Sequence, residues 1–259
     1  FGFSVAPHEV VKCGVWAKGR FRGEQMLYHS ERIYGIDISK YQHRHRHRTY
    51  GIDWRNLRIT RLGHTADRNA LGAVDYPVSF VYIKSTEGLT VFNPYYTQDV
   101  RAARRYGFPV GAYHFFSTRP AMCQADYFLK KSRLRKGDLP PMLDVELSDR
   151  RIAAMGGRDV LFREMLVWLK EVGRRSGTTP IIYVSQDFVN RYMPFAPEEL
   201  KKYPVWVARY GEYKPYVHLL YWQLSPDGRV RGIRGDVDID VFNGSEEQFK
   251  RYLRTQTVK

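Results

Sequence analysis

The sequence predicts an α/β fold, a TIM-like barrel formed by one domain. Five short apolar runs with the pattern of buried strands alternate with helical patterns, and three further strand patterns follow with too little chain between them for full helices. With 259 residues, 43% of them hydrophobic, the chain can bury a core of barrel size. A doubly wound open sheet is the competing architecture, but no glycine-rich phosphate turn follows any strand pattern.

Strands are predicted where β-branched and aromatic residues run between turn residues. The predicted strands cover residues 33–39, 78–84, 109–116, 142–146, 180–185, 204–210, 218–224 and 237–242. Because the first of them begins at residue 33, residues 33–259 are expected to form the barrel domain. Residues 1–32 show no clean periodicity and are expected to form an N-terminal extension.

Helices are predicted between the early strands and at the C-terminus. One is expected to begin near Gly51–Trp54, and others to cover residues 93–107 and 120–135. Residues 161–172 carry apolar side chains at helical spacing. Ser245 and Gln248 form a capping-box pattern, which predicts a final helix after the eighth strand.

Two carboxylates leave the fourth predicted strand one residue apart. The period of two points Asp144 and Glu146 to the same side. Burial and the charge of one carboxylate can keep the other protonated, which is the arrangement that glycoside hydrolysis requires. A single pair of this kind is more often an ordinary acidic cluster at a strand end, so the rest of the chain decides between the two interpretations.

Other strand ends carry further acids and aromatic residues. Asp37 lies on the first strand and Asp238 on the eighth, and these strands are neighbours in a closed barrel. The aromatic residues at strand ends are Tyr82, Tyr113, Phe115, Tyr183, Trp206, Tyr210 and Trp222. Each alone is more often a core residue, but beside four acids they predict a cleft for a neutral, flat-faced ligand such as a sugar chain.

Eight sequence blocks, in order from residue 33 to the C-terminus, closely resemble glycoside hydrolase family 25, the Chalaropsis-type lysozymes or N-acetylmuramidases. The blocks are GIDISKYQ with IDW, FVYIKSTEG, PVGAYHFF followed by QADYFL, PMLDVE, IIYVS, VWVARY, YWQLS and VDIDVFNGS. One block alone would be weak, whereas eight in sequence are specific. The resemblance does not extend to residues 1–32.

The resemblance implies a (β/α)5(β)3 barrel that hydrolyses the β-1,4 bond between N-acetylmuramic acid and N-acetylglucosamine in bacterial cell-wall peptidoglycan. Glu146 is then the expected general acid, and Asp144 the group that orients the 2-acetamido group of the sugar. Asp37 and Asp238 are expected to bind substrate, together with the aromatic residues above and with Lys84 and Gln223, which lie in two of the matching blocks. The alternative is a glycan-binding module on the same barrel that has lost catalysis.

The same resemblance implies a secreted or cell-envelope protein, periplasmic or surface-anchored, that acts as a monomer without cofactor or metal. No run of eighteen apolar residues exists, so no transmembrane segment is expected. The net charge of +15 favours polyanionic partners, but no nucleic-acid-binding motif is present and nucleic acid is not expected as a partner. Cys13 and Cys123 could be two free thiols or one long-range disulfide.

Two departures from the family pattern lie beside the predicted cleft. Asp240 stands where the family usually has Asn, and the alternation places it on the same face as Asp238. Residues 43–50 and 61–76 look like insertions around the first helix. The first of these contains the run His43–Arg48, in which three histidines alternate with three arginines, and we expect a solvated loop that attracts anionic groups of the wall.

Overall fold

A computed structural model describes residues 2–4, 12–18, 20–24, 32–45, 47–64, 69–70, 73–208 and 218–259. Arg46 and Tyr210 lie outside the described residues. In chain order, the strands are β1 (Gly2–Ser4), β2 (Lys12–Ala17), β3 (Arg20–Glu24), β4 (Ile33–Ile38), β5 (Arg44–His45), β6 (Arg48–Thr49), β7 (Arg58–Arg61), β8 (Gly63–His64), β9 (Asn69–Ala70), β10 (Tyr76–Pro77), β11 (Val81–Glu87), β12 (Val91–Phe92), β13 (Val110–Phe115), β14 (Met142–Val145), β15 (Ile181–Ser185), β16 (Pro204–Ala208), β17 (His218–Arg231) and β18 (Val237–Phe242).

Seven α-helices accompany these strands in the described residues. They are α1 (Tyr96–Arg105), α2 (Ala121–Ser132), α3 (Asp149–Ala154), α4 (Arg158–Ser176), α5 (Gln186–Arg191), α6 (Glu198–Lys201) and α7 (Glu246–Thr255). The predicted capping box is present at the start of α7, where the Ser245 side chain accepts from the backbone N–H of Gln248 and the Gln248 side chain accepts from the backbone N–H of Ser245.

Eight strands close into a barrel in the order β4, β11, β13, β14, β15, β16, β17 and β18, which confirms the predicted TIM-like architecture. All neighbouring pairs from β4 to β17 are parallel. The last strand, β18, is antiparallel to both β17 and β4. The barrel is therefore mixed, and its closing strand begins at the rim where the others end.

The alternation of side chains divides the core into two parts. An inner cluster fills the barrel and is mainly aromatic; it includes Phe80, Tyr82, Trp206, Tyr221 and Phe242. An outer cluster of aliphatic and aromatic residues lies between the strands and the helices. Two glycines make room for the inner rings: a Cβ at Gly35 would lie 2.2 Å from the Phe80 ring, and one at Gly111 would lie 2.3 Å from the Tyr82 ring.

The prediction of a helix that begins near Gly51–Trp54 is wrong. The described residues between β4 and β11 contain only two 3₁₀ helices, Lys40–His43 and Trp54–Asn56, together with short strands. Instead of a helix, β7 pairs antiparallel with the end of β17, which runs beyond the barrel to Arg231. The pairing partner lies about 170 residues further along the chain, so local periodicity could not reveal it.

The N-terminal strands β1, β2 and β3 form a separate antiparallel sheet, and β2 contacts β17. Cys123 is an exposed, free cysteine on α2, and the side chain of Cys13, for which a disulfide with Cys123 was considered, lies outside the described residues. Among the described residues, no helix is both long and apolar enough to cross a membrane. The division into an extension and a barrel domain stays a prediction.

Candidate active site

Four predicted acids meet at one rim of the barrel, where the parallel strands end and β18 begins. Asp37 is the fifth residue of β4, and Asp238 is the second residue of β18. Because β18 runs in the opposite direction, its first residues lie at the same rim, and Asp238 stands directly opposite Asp37 in the strand pair. The expectation that these two carboxyls flank each other is confirmed, although Asp238 opens its strand instead of ending it.

Asp144 and Glu146 end the fourth barrel strand. Asp144 is 6% exposed and lies on the inner face of β14, whereas Glu146 follows the last residue of the strand and is exposed. One oxygen of Asp144, Oδ1, is buried and has no hydrogen-bond partner among the described residues. The pair thus consists of the buried Asp144 carboxyl, one oxygen of which has no partner among the described residues, and the accessible Glu146 carboxyl just beyond the strand end.

A chain of polar side chains fixes Asp37. The Tyr183 hydroxyl donates to Gln223 Oε1 over 3.2 Å, and Gln223 Nε2 lies 3.4 Å from Asp37 Oδ2. Tyr113, on β13, also stabilises the ionised form of Asp37 and so lowers its pKa. Tyr113 and Tyr183 are each less than a tenth exposed. This network holds the carboxyl of Asp37 in one orientation beside Glu146.

Lys84 is a cation whose charge acts on the two acids of the pair, Asp144 and Glu146. Its Nζ donates to Glu87 Oε2 over 2.7 Å and lies 4.2 Å from the centre of the Phe115 ring. Its charge lowers the pKa of both Asp144 and Glu146, although burial raises each of them. Lys84 and Phe115 therefore lie in the surroundings of the acids, and their role in substrate binding stays a prediction.

Burial raises the pKa of every acid in the cluster. For Asp37, burial and then the charge of Glu146 raise the pKa to about 7. For Asp238, burial and then the charge of Asp37 raise the pKa to about 9. Burial also raises the pKa of Asp144 well above its ordinary value, with the charge of Glu146 acting in the same direction. The cluster consequently retains protons at neutral pH that separate carboxyls would lose.

Burial acts unequally on the two acids of the pair. The sequence suggested that Glu146 is protonated and Asp144 ionised, whereas burial raises the pKa of Asp144 strongly and that of Glu146 less, because Glu146 is more accessible. In the free protein, burial therefore favours the protonated form of Asp144 as well as that of Glu146. Which tautomer reacts depends on the contacts that a bound ligand adds.

Three of the predicted substrate-binding aromatics do not line the cleft. Tyr82 and Trp206 are fully buried in the inner cluster, below the rim. Trp222 is fully buried in the outer cluster, on the far side of the strand, with the guanidinium of Arg32 5.7 Å from its ring. A β-bulge at Leu220 explains the last case, because the extra residue reverses the alternation in β17.

Asp240 extends the cluster into the barrel. It is 0% exposed and stands opposite Gln223 on β17 and Gly35 on β4. Burial raises its pKa well above the ordinary value, as do the charges of Asp37 and Asp238, while Trp206 and the backbone of Asp37 lower it by less. The inward orientation that the alternation from Asp238 suggested is confirmed, and Asp240 is a fifth acid of the site.

Two other features lie apart from the acids. A cavity of about 730 Å³ opens at the opposite end of the barrel, where Pro140, Pro180 and Pro204 lead into their strands. Within the described part of the chain, no group of three or more His, Cys, Asp or Glu side chains is arranged to hold a metal ion.

The family model for glycosyl hydrolases family 25 matches residues 36–233. The chain belongs to this family. The matched range includes Asp37, Asp144 and Glu146. Asp238, on β18, lies beyond its last residue.

Similar proteins and a similar solved structure agree with this assignment. The chain is 33% identical over 225 residues to the uncharacterized protein YegX of Escherichia coli K12, covering 85% of this chain and 73% of the relative. It is 29% identical to lysozyme M1 of Streptomyces globisporus, covering 82% and 68% of the two chains. The bacterial lysozyme of Streptomyces coelicolor superposes with a TM-score of 0.69 at 26% identity, covering 88% of this chain and 98% of that structure.

Membership of family 25 makes this protein a glycoside hydrolase of the lysozyme or muramidase kind, with peptidoglycan as its substrate class. The resemblance seen in the sequence blocks is thereby confirmed. The roles of the individual residues are a separate matter, which depends on the geometry described above.

Proposed function

We propose that this family 25 enzyme cleaves the β-1,4 bond between N-acetylmuramic acid and N-acetylglucosamine, with Glu146 as general acid and with assistance from the 2-acetamido group of the substrate. One observation carries the proposal: the exposed Glu146 stands beside the buried Asp144, whose Oδ1 atom has no hydrogen-bond partner among the described residues. A buried acceptor without a partner is costly, and a substrate N–H that reaches it would remove this cost.

Glu146 is suited to protonate the leaving oxygen. It is the exposed member of the pair, so a glycosidic oxygen in the cleft can come within hydrogen-bond reach. Its pKa is raised by burial, which increases the protonated fraction at neutral pH, while Lys84 limits the rise. General acids work best when their pKa lies near the working pH.

Asp144 is suited to orient the acetamido group. When an acetamido N–H donates to Oδ1, it favours the ionised form of Asp144, and the proton shared by the pair then moves to Glu146. Substrate binding would thus convert the resting tautomer into the reactive one. The ionised Asp144 would then stabilise the positive charge that develops as the acetamido oxygen approaches the anomeric carbon.

Asp37 and Asp238 are assigned to substrate binding and to tuning the pair. The network from Tyr183 through Gln223 holds Asp37, whose carboxyl can accept from sugar hydroxyls at the rim. A neutral Asp238 at physiological pH can donate as well as accept, since burial raises its pKa to about 9. We assign the enzyme to the cell wall, as a secreted or envelope protein.

Mass spectrometry of the digestion products tests the assignment. Purified walls are digested, the new reducing ends are reduced with borohydride, and the reduced sugar is identified. Reduced N-acetylmuramic acid is expected, whereas reduced N-acetylglucosamine would show a glucosaminidase. Binding to walls without any release of fragments would show a binding module. Walls whose muramic acid residues lack the N-acetyl group should resist cleavage if the acetamido group takes part.

A further inference from the structure

The mechanism leaves unused a basic hairpin beside the acids. This hairpin, residues 43–50, follows β4 and contains the paired strands β5 and β6, with Arg44 opposite Thr49 and His45 opposite Arg48. Its base is closed by the backbone N–H of Tyr50, which donates to the carbonyl of His43 over 2.8 Å. The sequence predicted a solvated loop here; Arg44, His47, Arg48 and Thr49 are indeed exposed, but two short strands pair where no strand was expected.

His43 anchors the hairpin to the barrel. It is 1% exposed, its Nε2 lies 2.7 Å from Asp99 Oδ2 on α1, and its Nδ1 lies 2.9 Å from the carbonyl oxygen of Tyr50. Its ring also stacks on Tyr95, with 4.1 Å between ring centres. His43 is therefore not one of the solvated histidines that the sequence suggested, and it fixes where the rest of the hairpin stands.

The outer side of the basic hairpin encloses a concave site. Arg44, His47, Arg48 and Thr49 line a cavity of about 450 Å³, and all four are exposed. None of the described residues that line it is acidic. Arg44 also lowers the pKa of the Tyr95 hydroxyl, so the two side chains lie close together at this cavity.

The two arginines of this cavity have no carboxylate partner among the described residues, whereas several other arginines of the protein do. In the described part of the chain, neither Arg44 nor Arg48 forms an ion pair. Elsewhere, arginines are paired with carboxylates, as in Arg104–Asp138, Arg175–Asp126, Arg191–Asp149 and Arg229–Asp236. The cavity thus combines the guanidinium groups of Arg44 and Arg48 with an imidazole and a hydroxyl group. Proteins commonly bind carboxylate or phosphate oxygens with such guanidinium groups.

The hairpin stands on the catalytic side of the barrel. It follows β4, which ends at the rim of Asp37, and Gln42 Nε2 donates to the carbonyl of Asp236 in the turn before β18. From that turn, the exposed Arg234 places its guanidinium 4.4 Å from the centre of the Tyr50 ring. The positive charge thus continues from the hairpin to the strand that carries Asp238.

We propose that the cavity of the basic hairpin binds an oxyanion of the cell wall next to the bond that is cut. The proposal rests on the wall being the substrate. Two sources offer this chemistry, the carboxylates of stem peptides and the phosphates of attached anionic polymers. The site would hold the wall at the rim through Arg44 and Arg48, separately from the acids that break the bond.

The test measures sedimentation with purified walls in a Glu146→Gln background, so that binding is read without cleavage. R44Q/R48Q is compared with R101Q/R105Q, which removes the same charge from exposed arginines on α1. At low salt, R44Q/R48Q should bind about 2- to 30-fold more weakly than its parent, as expected for two exposed charge contacts. R101Q/R105Q should change little. Since Arg44 also lies close to Tyr95, R48Q alone should show a smaller loss in the same direction.

Salt and wall composition identify the ligand. Between about 10 mM and about 1 M salt, where the Debye length falls from roughly 30 Å to roughly 3 Å, the difference should disappear. If R44Q/R48Q binds more weakly than its parent only on walls that carry the anionic polymer, phosphate is the ligand, and inorganic phosphate should compete. If the difference in affinity persists on walls stripped of polymer and ends when the stem peptides are removed, stem-peptide carboxylates are the ligand.

Equal affinities and equal salt slopes for the two double variants would overturn the proposal, as would a parent that does not bind walls at low salt. These outcomes are separable from a failure of the proposed function. An enzyme that binds walls through the hairpin but releases no fragments would retain this inference and lose the catalytic assignment.

Discussion

Asp37 and Asp238 stand directly opposite each other on β4 and β18, the two antiparallel strands that close the barrel. In an all-parallel barrel, two acids could meet at this rim only if each lay near the end of its strand. Here the reversed direction of β18 lets an acid at the start of one strand meet an acid near the end of its neighbour. The two carboxyls share this rim, and burial, together with the charge of Glu146 on Asp37 and of Asp37 on Asp238, keeps protons there at neutral pH.

Glu146→Gln should abolish wall lysis while the fold remains intact. The amide keeps the shape of the side chain but cannot donate the proton, and general acid catalysis contributes about 10²- to 10⁴-fold in rate. Turnover is measured by release of muropeptides, and folding by circular dichroism and thermal unfolding. Asp144→Asn should also be severely impaired. If Asp144→Asn alone is inactive and Glu146→Gln retains activity, the two roles are reversed.

Lys84→Met should move both limbs of the pH profile of kcat/KM to higher pH. Lys84 lowers the pKa of Asp144 and of Glu146, so its removal raises both. The general acid then stays protonated to higher pH, and Asp144 needs higher pH to ionise. Lys131→Met is the matched control, since Lys131 also lies over aromatic rings, 5.5 Å from the centre of Phe92, but is not among the causes of either shift. Unchanged limbs in Lys84→Met would separate Lys84 from the catalytic pair.

The sequence was sufficient to predict the barrel and the acids of the rim, because strand alternation is local and carries over directly to the inner face. It could not place Trp222, because the bulge at Leu220 that turns this ring outward depends on the pairing of β17 with β16. The same limit applies to the first connection, where pairing between β7 and β17 replaces the predicted helix. In each case contacts between distant parts of the chain override the local pattern.

Asp240 was found by alternation and by its departure from the family pattern, but its burial was not foreseeable. Whether such a carboxyl is solvated depends on the rings around it, here those of the inner cluster. His43 shows the opposite failure. A low-complexity basic run indicates a solvated segment, yet its first histidine is buried because Asp99, on α1, reaches it.

His43→Asn should destabilise the protein by about 1–3 kcal/mol, because the buried Asp99 would lose its partner. His47→Asn is the matched control. His47 is exposed at the tip of the basic hairpin with φ of 66°, a conformation that Asn tolerates well, so this change should stay within about 0.5 kcal/mol. Urea unfolding of both variants measures the difference. Equal effects would show that the His43–Asp99 contact contributes no more than a surface residue.

Asp240→Asn should raise the melting temperature at neutral and alkaline pH and change it little near pH 4. Burial raises the pKa of Asp240 in the folded state, so above the ordinary aspartate pKa of about 3.9 the folded protein retains a proton that the unfolded chain has released. The free energy of unfolding therefore falls as pH rises from about 4 towards the raised pKa. Asparagine keeps the shape of the side chain and cannot ionise, so the contribution of residue 240 to this fall in the free energy of unfolding disappears in the variant.

For a chain of this size, each kcal/mol regained corresponds to about 2–4 °C in Tm. The measurement is thermal unfolding at a series of pH values, with Asp159→Asn, a carboxyl whose side chain is 88% exposed, as the control. Neither oxygen of Asp240 has a well-placed hydrogen-bond partner among the described residues, so replacing the carboxyl removes a charge without breaking an established contact. A pH-independent loss of stability would show that Asp240 is ionised and needed where it stands.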